Sequence, residues 1–352
     1  MTPNTSSFGP AARRPYLFGL MLLRILLDVI GPIVVLIGLG AVLRLKFKLD
    51  LPTLSKLNIY FAVPAFIFHT VSTSTLPFSD MGGIALMTVL QVGTLGALIF
   101  GVGRLLRVPP KTLSAVALAV MFYNSGNYGL PLAELAYPTQ LQQTSGRDGG
   151  AVQAFVLMTQ NLLTFTVGLA IAAAAHSGFA WSNAKRVLTL PMLPALLLGL
   201  AAKLWLSGDP ARQLPTMIAK PAFYVAGALV PLALATLGAQ LASNPRWPRW
   251  KPVGVAMLLR LGFGPLQMAA LLFALHKLGI PALDLWDASG WPAQLLILTA
   301  AVPTAVNTLL MTMELDGDVT LAADCVFWTT VGSCVTIPLW LWAIWWFFGT
   351  GG

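Results

Sequence analysis

The stretch MFYNSGNYGLPLAELAY, residues 121–137, decides how the chain folds, because it places helix-breaking residues inside an apolar segment. A proline within a helix removes a backbone hydrogen bond and costs about 3 kcal/mol. In lipid no water replaces the lost partner, so irregular backbone occurs only where it is buried in protein or lines a cavity. We therefore expect this stretch to lie inside the protein, beside a cavity. Its amides, glycines and proline are Asn124, Gly126, Asn127, Gly129 and Pro131.

The composition indicates a protein that lies almost wholly within a membrane. The chain has 352 residues, of which 57% are hydrophobic and 9% charged, and its mean hydropathy is +0.78. Charged residues make up about 25% of soluble domains, and about 20 apolar residues suffice for one membrane-spanning helix. This favours an all-α, multi-pass protein of the cell (inner) membrane. The ten predicted spans are 25–45, 53–73, 82–103, 112–136, 151–175, 187–206, 221–242, 253–275, 291–313 and 326–348.

The net charge of +9 does not indicate a nucleic-acid partner, because the lysines and arginines lie at the ends of spans rather than on one basic face. Their bias toward the loops after spans 1, 3, 5 and 7 predicts that these loops are cytoplasmic and that both termini are outside. Residues 1–20 are polar and contain proline, which predicts a disordered N-terminal tail. Translation from Met21 instead of Met1 would remove that tail.

No sequence pattern indicates an enzyme or a metal site. The chain contains no HExxH motif, no GxSxG motif and no phosphate-binding P-loop. The three histidines, His69, His176 and His276, lie on different segments, and their spacing fits no metal site. We therefore predict no cofactor. The sequence leaves open whether proton coupling, sodium coupling or neither applies.

Prolines recur in the two halves of the chain and predict an internal repeat. With five spans in each half, an odd number, the two halves must have opposite orientations in the membrane. We expect one repeat over 21–180 and the second over 181–352. Inverted repeats of this kind are typical of secondary transporters, whose binding sites lie near the midplane on broken helices. The prolines that match in order are Pro32 with Pro194, Pro64 with Pro231, and Pro131 with Pro303.

A second break is predicted in TAAVPTAVNTLL, residues 299–310, where Pro303 lies in the middle of the span and Asn307 follows about one turn later. After Pro131 and after Pro303, a short half-helix would begin. A helix N-terminus has free N–H groups and about half a positive charge. Two such ends at mid-membrane would form a binding site for an anion, and the asparagine amides would add neutral donors.

Three stretches resemble the auxin efflux carrier (PIN-like) family, in particular its bacterial members, within the bile acid/sodium symporter superfamily. They are NSGNYGLPLAELAY (124–137), VPLALATLGAQL (230–241) and the run VPTAVNTLLMTMELDGDV that begins at Val302. The resemblance covers the chain from about Ile25 to Phe348. It implies ten helices in two inverted halves of five, with broken helices 4 and 9 crossing at their prolines. It further implies an elevator-type carrier. Helices 1, 2, 6 and 7 would form a scaffold, which often dimerises, and helices 3–5 and 8–10 a mobile transport domain.

The resemblance also implies a substrate site at the crossing. Family members transport organic anions such as auxin, malate and malonate, so a small carboxylate is the expected substrate. The chain departs from the family pattern at Glu134, where a small or apolar residue is expected, and helix 3 lacks the carboxylate of the plant carriers. The plant coupling scheme therefore does not carry over. The residues at the implied crossing are Asn124, Asn127, Gly129, Leu130, Pro131, Pro303 and Asn307.

Other polar residues within the apolar spans have two interpretations each. Gln160 and Asn161 either reach the site or bond to a neighbouring helix. Glu134 and Asp324 are candidates for ion coupling, because a charge within the bilayer costs about 2.5–3.5 kcal/mol and usually serves a function. Alternatively, Glu134 is interfacial and Asp324 caps helix 10. Arg260 is expected to extend its charge to the cytoplasmic surface, and the alternative is a role facing the carboxylate of the substrate.

The sequence thus predicts a secondary active transporter of the elevator type for a small organic anion. Its partners would be that substrate, the lipid membrane and a second copy of the chain, bound through the scaffold helices. Two alternatives stay open. One is a sodium-coupled symporter of the bile-acid type, and the other is an anion channel, since broken helices also line pores. The sequence does not identify the substrate or the direction of transport.

Overall fold

The computed structural model describes residues 23, 26–74, 78–137, 149–174, 191–208, 212–242, 248–280, 284–286, 292–315 and 317–348. Within these ranges the secondary structure is helical, apart from two isolated backbone bridges, one of which joins Tyr123 to Thr304. The predicted tail at 1–20 and the predicted boundary between the repeats at 180/181 lie outside the described residues.

Ten helical segments follow one another in the described residues; two are interrupted by extended residues, and a third has a one-residue turn at Ala228. They are α1 (26–47), α2 (51–73), α3 (Phe78–Leu105), α4a (Pro110–Met121) and α4b (125–136), α5 (149–174), α6 (Met192–Ser207), α7 (Thr216–Leu241), α8 (Trp250–Lys277), α9a (Ala293–Ala300) and α9b (Val306–Glu314), and α10 (Val319–Phe348). Six of them, α1, α3, α5, α7, α8 and α10, are long and apolar enough to cross a membrane by length and composition. The all-α prediction is therefore confirmed for the described residues.

The turn between α1 and α2 takes its shape from a few residues. Lys48 ends α1 in the left-handed region, with φ 52°, and its N–H donates to the Arg44 carbonyl at 2.9 Å. Asp50 then caps α2, because its carboxylate accepts hydrogen bonds from the Thr53 hydroxyl at 2.5 Å and the Thr53 N–H at 3.0 Å. These hydrogen bonds lower the pKa of the Asp50 carboxyl from its ordinary value.

Helices α1 and α7 pack so closely that their backbones touch. A Cβ atom at Gly40 would lie 2.1 Å from the Ala235 carbonyl oxygen, and one at Gly238 would lie 1.8 Å from the Ile37 carbonyl oxygen. No side chain fits at either glycine, so small residues here permit the close approach that is common between membrane helices. Helix α2 in turn packs against α6 and α7. These are the four helices for which the resemblance implies a scaffold role.

The first halves of the interrupted helices lie deepest in the protein. Every side chain from Ser114 to Met121 in α4a is buried, as is every side chain from Ala293 to Ala300 in α9a. Helices α3, α8 and α10 pack around α4a, and α5, α8 and α10 pack around α9a. The two interruptions that follow these segments are therefore enclosed by protein, where each backbone polar group needs a protein partner.

Candidate functional site

The two helix interruptions pair with each other through their backbones. The Asn124 N–H donates to the Pro303 carbonyl at 2.8 Å, and the Ala305 N–H donates to the Phe122 carbonyl at 3.0 Å. Tyr123 and Thr304 stand opposite each other at the centre of this antiparallel bridge. Each interruption thus supplies one backbone donor and one backbone acceptor to the other, in a region where irregular backbone needs protein partners. We call residues 122–124 and 303–305 the paired breaks.

Thr304 connects the paired breaks to two further helices. Its hydroxyl donates to the Ala119 carbonyl in α4a at 2.8 Å, and its N–H donates to the Thr329 hydroxyl in α10 at 3.1 Å. Thr304 and Thr329 are both fully buried. The Thr329 hydroxyl also donates to the Cys325 carbonyl at 2.7 Å, so it is satisfied as donor and acceptor. These bonds hold the α9 break against α4a and α10.

Gln153 in α5 joins α4b to α9a. Its side-chain Nε2 donates to the Ser125 carbonyl at 2.9 Å, and its Oε1 accepts from the Thr299 hydroxyl at 2.6 Å. Gln153 is fully buried, so both bonds form in a low-dielectric interior. A Cβ atom at Gly129 would lie 2.5 Å from Gln153 Nε2. Gly129 therefore leaves the room in which this glutamine reaches the break.

Arg260 in α8 is fully buried, which corrects the expectation that its charge extends to the membrane surface. Its Nη1 donates to the Val120 carbonyl at 2.6 Å, and its Nη2 donates to the Ala300 carbonyl. The guanidinium carbon lies 4.8 Å from the centre of the Tyr123 ring. Arg260 thus contacts the last turn of α4a, the end of α9a and one of the paired breaks.

The second halves of the interrupted helices begin differently. Asn124 caps α4b, because its side-chain Oδ1 accepts from the Asn127 N–H at 3.1 Å. Ala305 precedes α9b and provides no side-chain cap. The first N–H groups of a helix lack partners within that helix. The beginning of α9b, at Val306 and Asn307, therefore offers backbone donors to whatever lies beside it.

Both beginnings face one small cavity. Its internal volume is about 80 Å³. Since about 10–15 Å³ of such space admits one water, it has room for several waters or for the polar part of a small anion. Five predicted site residues line the cavity, namely Asn124, Asn127, Gln160, Asn161 and Asn307. The structure thus brings together the amides of α4b, α5 and α9b.

Two of these amides are buried and have side-chain atoms without a hydrogen bond of good geometry within the described part of the chain. Gln160 is 1% exposed, and neither its Nε2 nor its Oε1 makes a hydrogen bond of good geometry there, although the Tyr123 hydroxyl lies beside it. Asn124 is 6% exposed, and its Nδ2 makes no hydrogen bond among the described residues. A buried polar atom without a partner costs about 1–3 kcal/mol, and native structures rarely contain one without a reason. Gln160 and Asn124, which both line the cavity, therefore have amide atoms that could bond to a polar ligand after a small side-chain rotation.

The electrostatics of the cavity come from the backbone. The described residues that line it include no Asp, Glu, Lys, Arg or His. The beginnings of α4b and α9b each contribute about half a positive charge. The two ends together favour a ligand group with about one negative charge, such as a carboxylate, and the amides supply neutral donors to its oxygens.

Four predicted site residues lie near the cavity without lining it. Gly129, Leu130 and Pro131 are buried within α4b, and Pro303 contributes its carbonyl to the paired breaks. The expectation that a half-helix begins after Pro131 is wrong, because α4b begins at Ser125. The residues that stand opposite each other where the two breaks meet are Tyr123 and Thr304.

The two predicted ion-coupling residues do not line the cavity. Glu134 is half-buried in α4b, and its Oε2 would lie 3.7 Å from a Cβ at Gly150. Asp324 is buried in α10. The alternative that Asp324 caps helix 10 is wrong, because Asp318 caps it by accepting the Leu321 N–H at 3.2 Å.

Two cavity residues that the sequence analysis did not single out come from α2 and α7. They are Asn58, whose Nδ2 donates to the Thr236 hydroxyl at 2.7 Å, and Gln240. Each is an amide inside an otherwise apolar helix, which is the signal that could have identified it. Asn58 also begins a wide turn of the π type in α2, as Ser125 does in α4b. Such turns frequently occur at functional sites.

The chain matches known membrane transport proteins along most of its length. The family described as "Membrane transport protein" matches residues 29–185 and 182–341. An uncharacterized transporter of Methanothermobacter thermautotrophicus is 29% identical over 321 residues, which cover 88% of this chain and 95% of that protein. An uncharacterized transporter of Methanocaldococcus jannaschii is 25% identical, with 83% and 89% covered.

A third relative has a name that mentions a substrate. It is the protein of Rhizobium meliloti named "Putative malonate transporter", which is 27% identical over 288 residues. The match covers 79% of this chain and 82% of that protein.

Proposed function

This chain belongs to the membrane transport protein family, and on that premise we propose that it is a secondary active transporter for a small organic anion with a carboxylate group. It is a multi-pass membrane protein with several apolar helices. The anion would cross the cell membrane bound at the cavity beside the paired breaks.

The observation on which this proposal rests is the convergence of two helix beginnings on one cavity. The beginnings of α4b and α9b favour a negative charge. Gln160 and Asn124 add buried amide atoms that make no hydrogen bond of good geometry within the described residues. A carboxylate would satisfy both features, because it accepts several hydrogen bonds and neutralises the two positive helix ends.

We further propose that the ten helices span the membrane as two inverted halves that cross at the paired breaks. The symmetric backbone bonds support this arrangement, since each break donates one N–H to the other at the equivalent position. Two interrupted helices at corresponding positions are typical of secondary transporters. The crossing would then lie near the middle of the bilayer, where irregular backbone must be enclosed by protein.

The position of the cavity supports an elevator-type movement. Asn58 and Gln240 line it from α2 and α7, whereas Asn124, Gln160 and Asn307 line it from α4, α5 and α9. The site therefore lies between the proposed scaffold (α1, α2, α6 and α7) and the proposed transport domain (α3–α5 and α8–α10). A movement of the second group against the first would carry the anion past Asn58 and Gln240. The scaffold would also form the homodimer, for which the apolar surface of α1 provides exposed side chains such as Val35, Leu39 and Val42.

Malonate is the first ligand to test, because one relative is named for it. The purified protein would be heated with malonate and with malonamide, its uncharged analogue, each with and without sodium. We expect malonate to raise the melting temperature and malonamide to have no effect. Counterflow of labelled malonate in proteoliposomes then separates a carrier from a channel, which does not support it. Stabilisation by the uncharged amide and by no organic anion would contradict the proposal.

Asparagine variants test the site itself. Losing a hydrogen bond to a charged group costs about 1.5–3 kcal/mol, which corresponds to about a ten- to hundredfold loss of affinity. We expect such losses in Asn127→Ala and Asn307→Ala, with normal expression. Gln267→Ala is the matched control, because it removes an amide of α8 that bonds to Thr94 in α3, away from the cavity. Wild-type affinity in both asparagine variants would place the site elsewhere.

A further inference from the structure

The C-terminal ends of α4a and α9a carry partial negative charges inside the protein, and the residues that line the cavity do not neutralise them. The last carbonyls of a helix have no partner within it, and the end of each helix has about half a negative charge. α4a ends at Met121 and α9a at Ala300, and both ends are buried next to the paired breaks. Together they place about one negative charge behind the anion site, where it would repel a bound anion.

Arg260 meets both of these ends. One arm of its guanidinium donates to the Val120 carbonyl and the other to the Ala300 carbonyl. The side chain is fully buried, and no carboxylate of the described residues pairs with it. Its single positive charge therefore balances the two half-charges of the helix ends. That balance accounts for a buried arginine, which would otherwise be costly within a membrane.

The residues around Arg260 leave room for a planar guanidinium group. Arg260 lies on the wide π turn Leu258–Phe263 of α8. A Cβ atom at Gly264 would lie 2.9 Å from Arg260 Nη2 and 3.2 Å from the Ala300 oxygen, so the glycine leaves room for the guanidinium. The Tyr123 ring covers the guanidinium on another side, with 4.8 Å between ring centre and guanidinium carbon. Lysine carries its donors on one nitrogen instead of on two separate ones, so it matches the two carbonyls less well than arginine does.

We propose that Arg260 is the positioning residue of the anion site. Its fork ties α4a to α9a and so keeps the breaks paired. Its charge cancels the negative helix ends, so that the positive beginnings of α4b and α9b act on the anion unopposed. The second role rests on the proposed function, and the first does not. Tyr123 lies between Arg260 and the cavity, because it contacts the guanidinium and also lines the cavity.

Amide hydrogen exchange tests the tie between the breaks without any substrate. The probes are the peptides that contain the Asn124 and Ala305 N–H groups, measured in purified full-length protein. Arg260→Gln should speed their exchange about tenfold or more, because the bonds of a charged donor are lost. Arg260→Lys should also speed it, since one ammonium matches the two carbonyls less well. Lys203→Gln is the matched control. It removes a buried cation of α6 that donates to the Ser74 carbonyl at 2.6 Å, and it should leave the breaks unchanged.

Malonate affinity separates the charge of Arg260 from its fork. Arg260→Lys keeps the charge and should keep the affinity within about threefold, whereas Arg260→Gln should lose about tenfold, as expected for removal of one charge near an anion. Equal losses of malonate affinity in both variants would mean that Arg260 acts only by holding α4a and α9a together, and not through its charge. Wild-type exchange in Arg260→Gln would overturn the proposal. If the wild-type protein binds no malonate, the proposed function fails for this anion. The exchange data still show whether Arg260 keeps the breaks paired.

A gentler variant covers the case in which Arg260→Gln does not fold. Gly264→Ala keeps the arginine and its charge but crowds its Nη2 and the Ala300 carbonyl. We expect faster exchange at both breaks with nearly normal malonate affinity. Unchanged exchange in this variant, together with unchanged exchange in Arg260→Lys, would overturn the tie.

Discussion

The two helix breaks reach the same paired geometry from different sequences. The α9 break contains Pro303, and α9b begins after Ala305 without a side-chain cap. The α4 break contains no proline, and α4b begins at a capping Asn124 with a wide π turn. Yet each break donates one N–H to the other at nearly the same distance, 2.8 Å and 3.0 Å.

A helix can be interrupted where it pairs with a second irregular segment, as well as by proline. Where residues 122–124 leave the helix, a second irregular segment bonds the Asn124 N–H and the Phe122 carbonyl. Proline removes the N–H that would otherwise favour helix continuation, and it does so in α9. In α4 the Asn124 cap favours a new helix start instead. The two breaks should therefore respond differently to mutation.

The largest expected difference is between the two prolines. Pro303→Ala adds a buried N–H at the α9 break and favours helix continuation. We therefore expect the free energy of unfolding to fall by about 1–3 kcal/mol. Pro131→Ala should change stability by less than about 1 kcal/mol, because Pro131 lies within α4b rather than at the break, and alanine fits a helix. Thermal unfolding in detergent measures both. A greater loss in Pro131→Ala would mean that the α4 break depends on its proline after all.

The capping asparagine gives a smaller difference. Asn124→Ala removes the side-chain oxygen that accepts the Asn127 N–H, and loss of such a cap costs about 0.5–2 kcal/mol. Asn307→Ala removes no side-chain cap, since α9b has none, and should leave the melting temperature nearly unchanged. Both variants remove an amide from the cavity. Equal melting temperatures in the two variants would show that the Asn124 cap contributes nothing to stability.

Much of the site was predictable from the sequence because its signal is local. An amide in an apolar span is conspicuous, and Asn124, Asn127 and Asn307 stand beside residues that break helices. Gln160 and Asn161 were noticed for the same reason, although their spacing alone did not show where they point. The structure turns all five toward one cavity.

The remainder depends on contacts between distant parts of the chain. The position of the α4 break follows from the pairing of Tyr123 with Thr304. Pro131, which lies further along in α4b, therefore does not mark the break. Arg260 lies in a span from which a long side chain could have reached the membrane surface. Two helix ends, Val120 and Ala300, hold it inside instead. Neither contact leaves a pattern within one segment of the sequence.

The central claim, that an anion binds where α4b and α9b begin, is tested most directly by Asn124→Asp. Aspartate caps a helix about as well as asparagine, and the two positive helix beginnings offset part of the cost of its buried charge, so the protein should remain folded. The added negative charge would face the bound anion, and two like charges about 4 Å apart repel by about 4 kcal/mol near a protein surface. We therefore predict that malonate affinity, measured by isothermal titration calorimetry, falls at least about a hundredfold while the protein remains folded. Unchanged or tighter malonate binding by the folded Asn124→Asp protein would contradict the account.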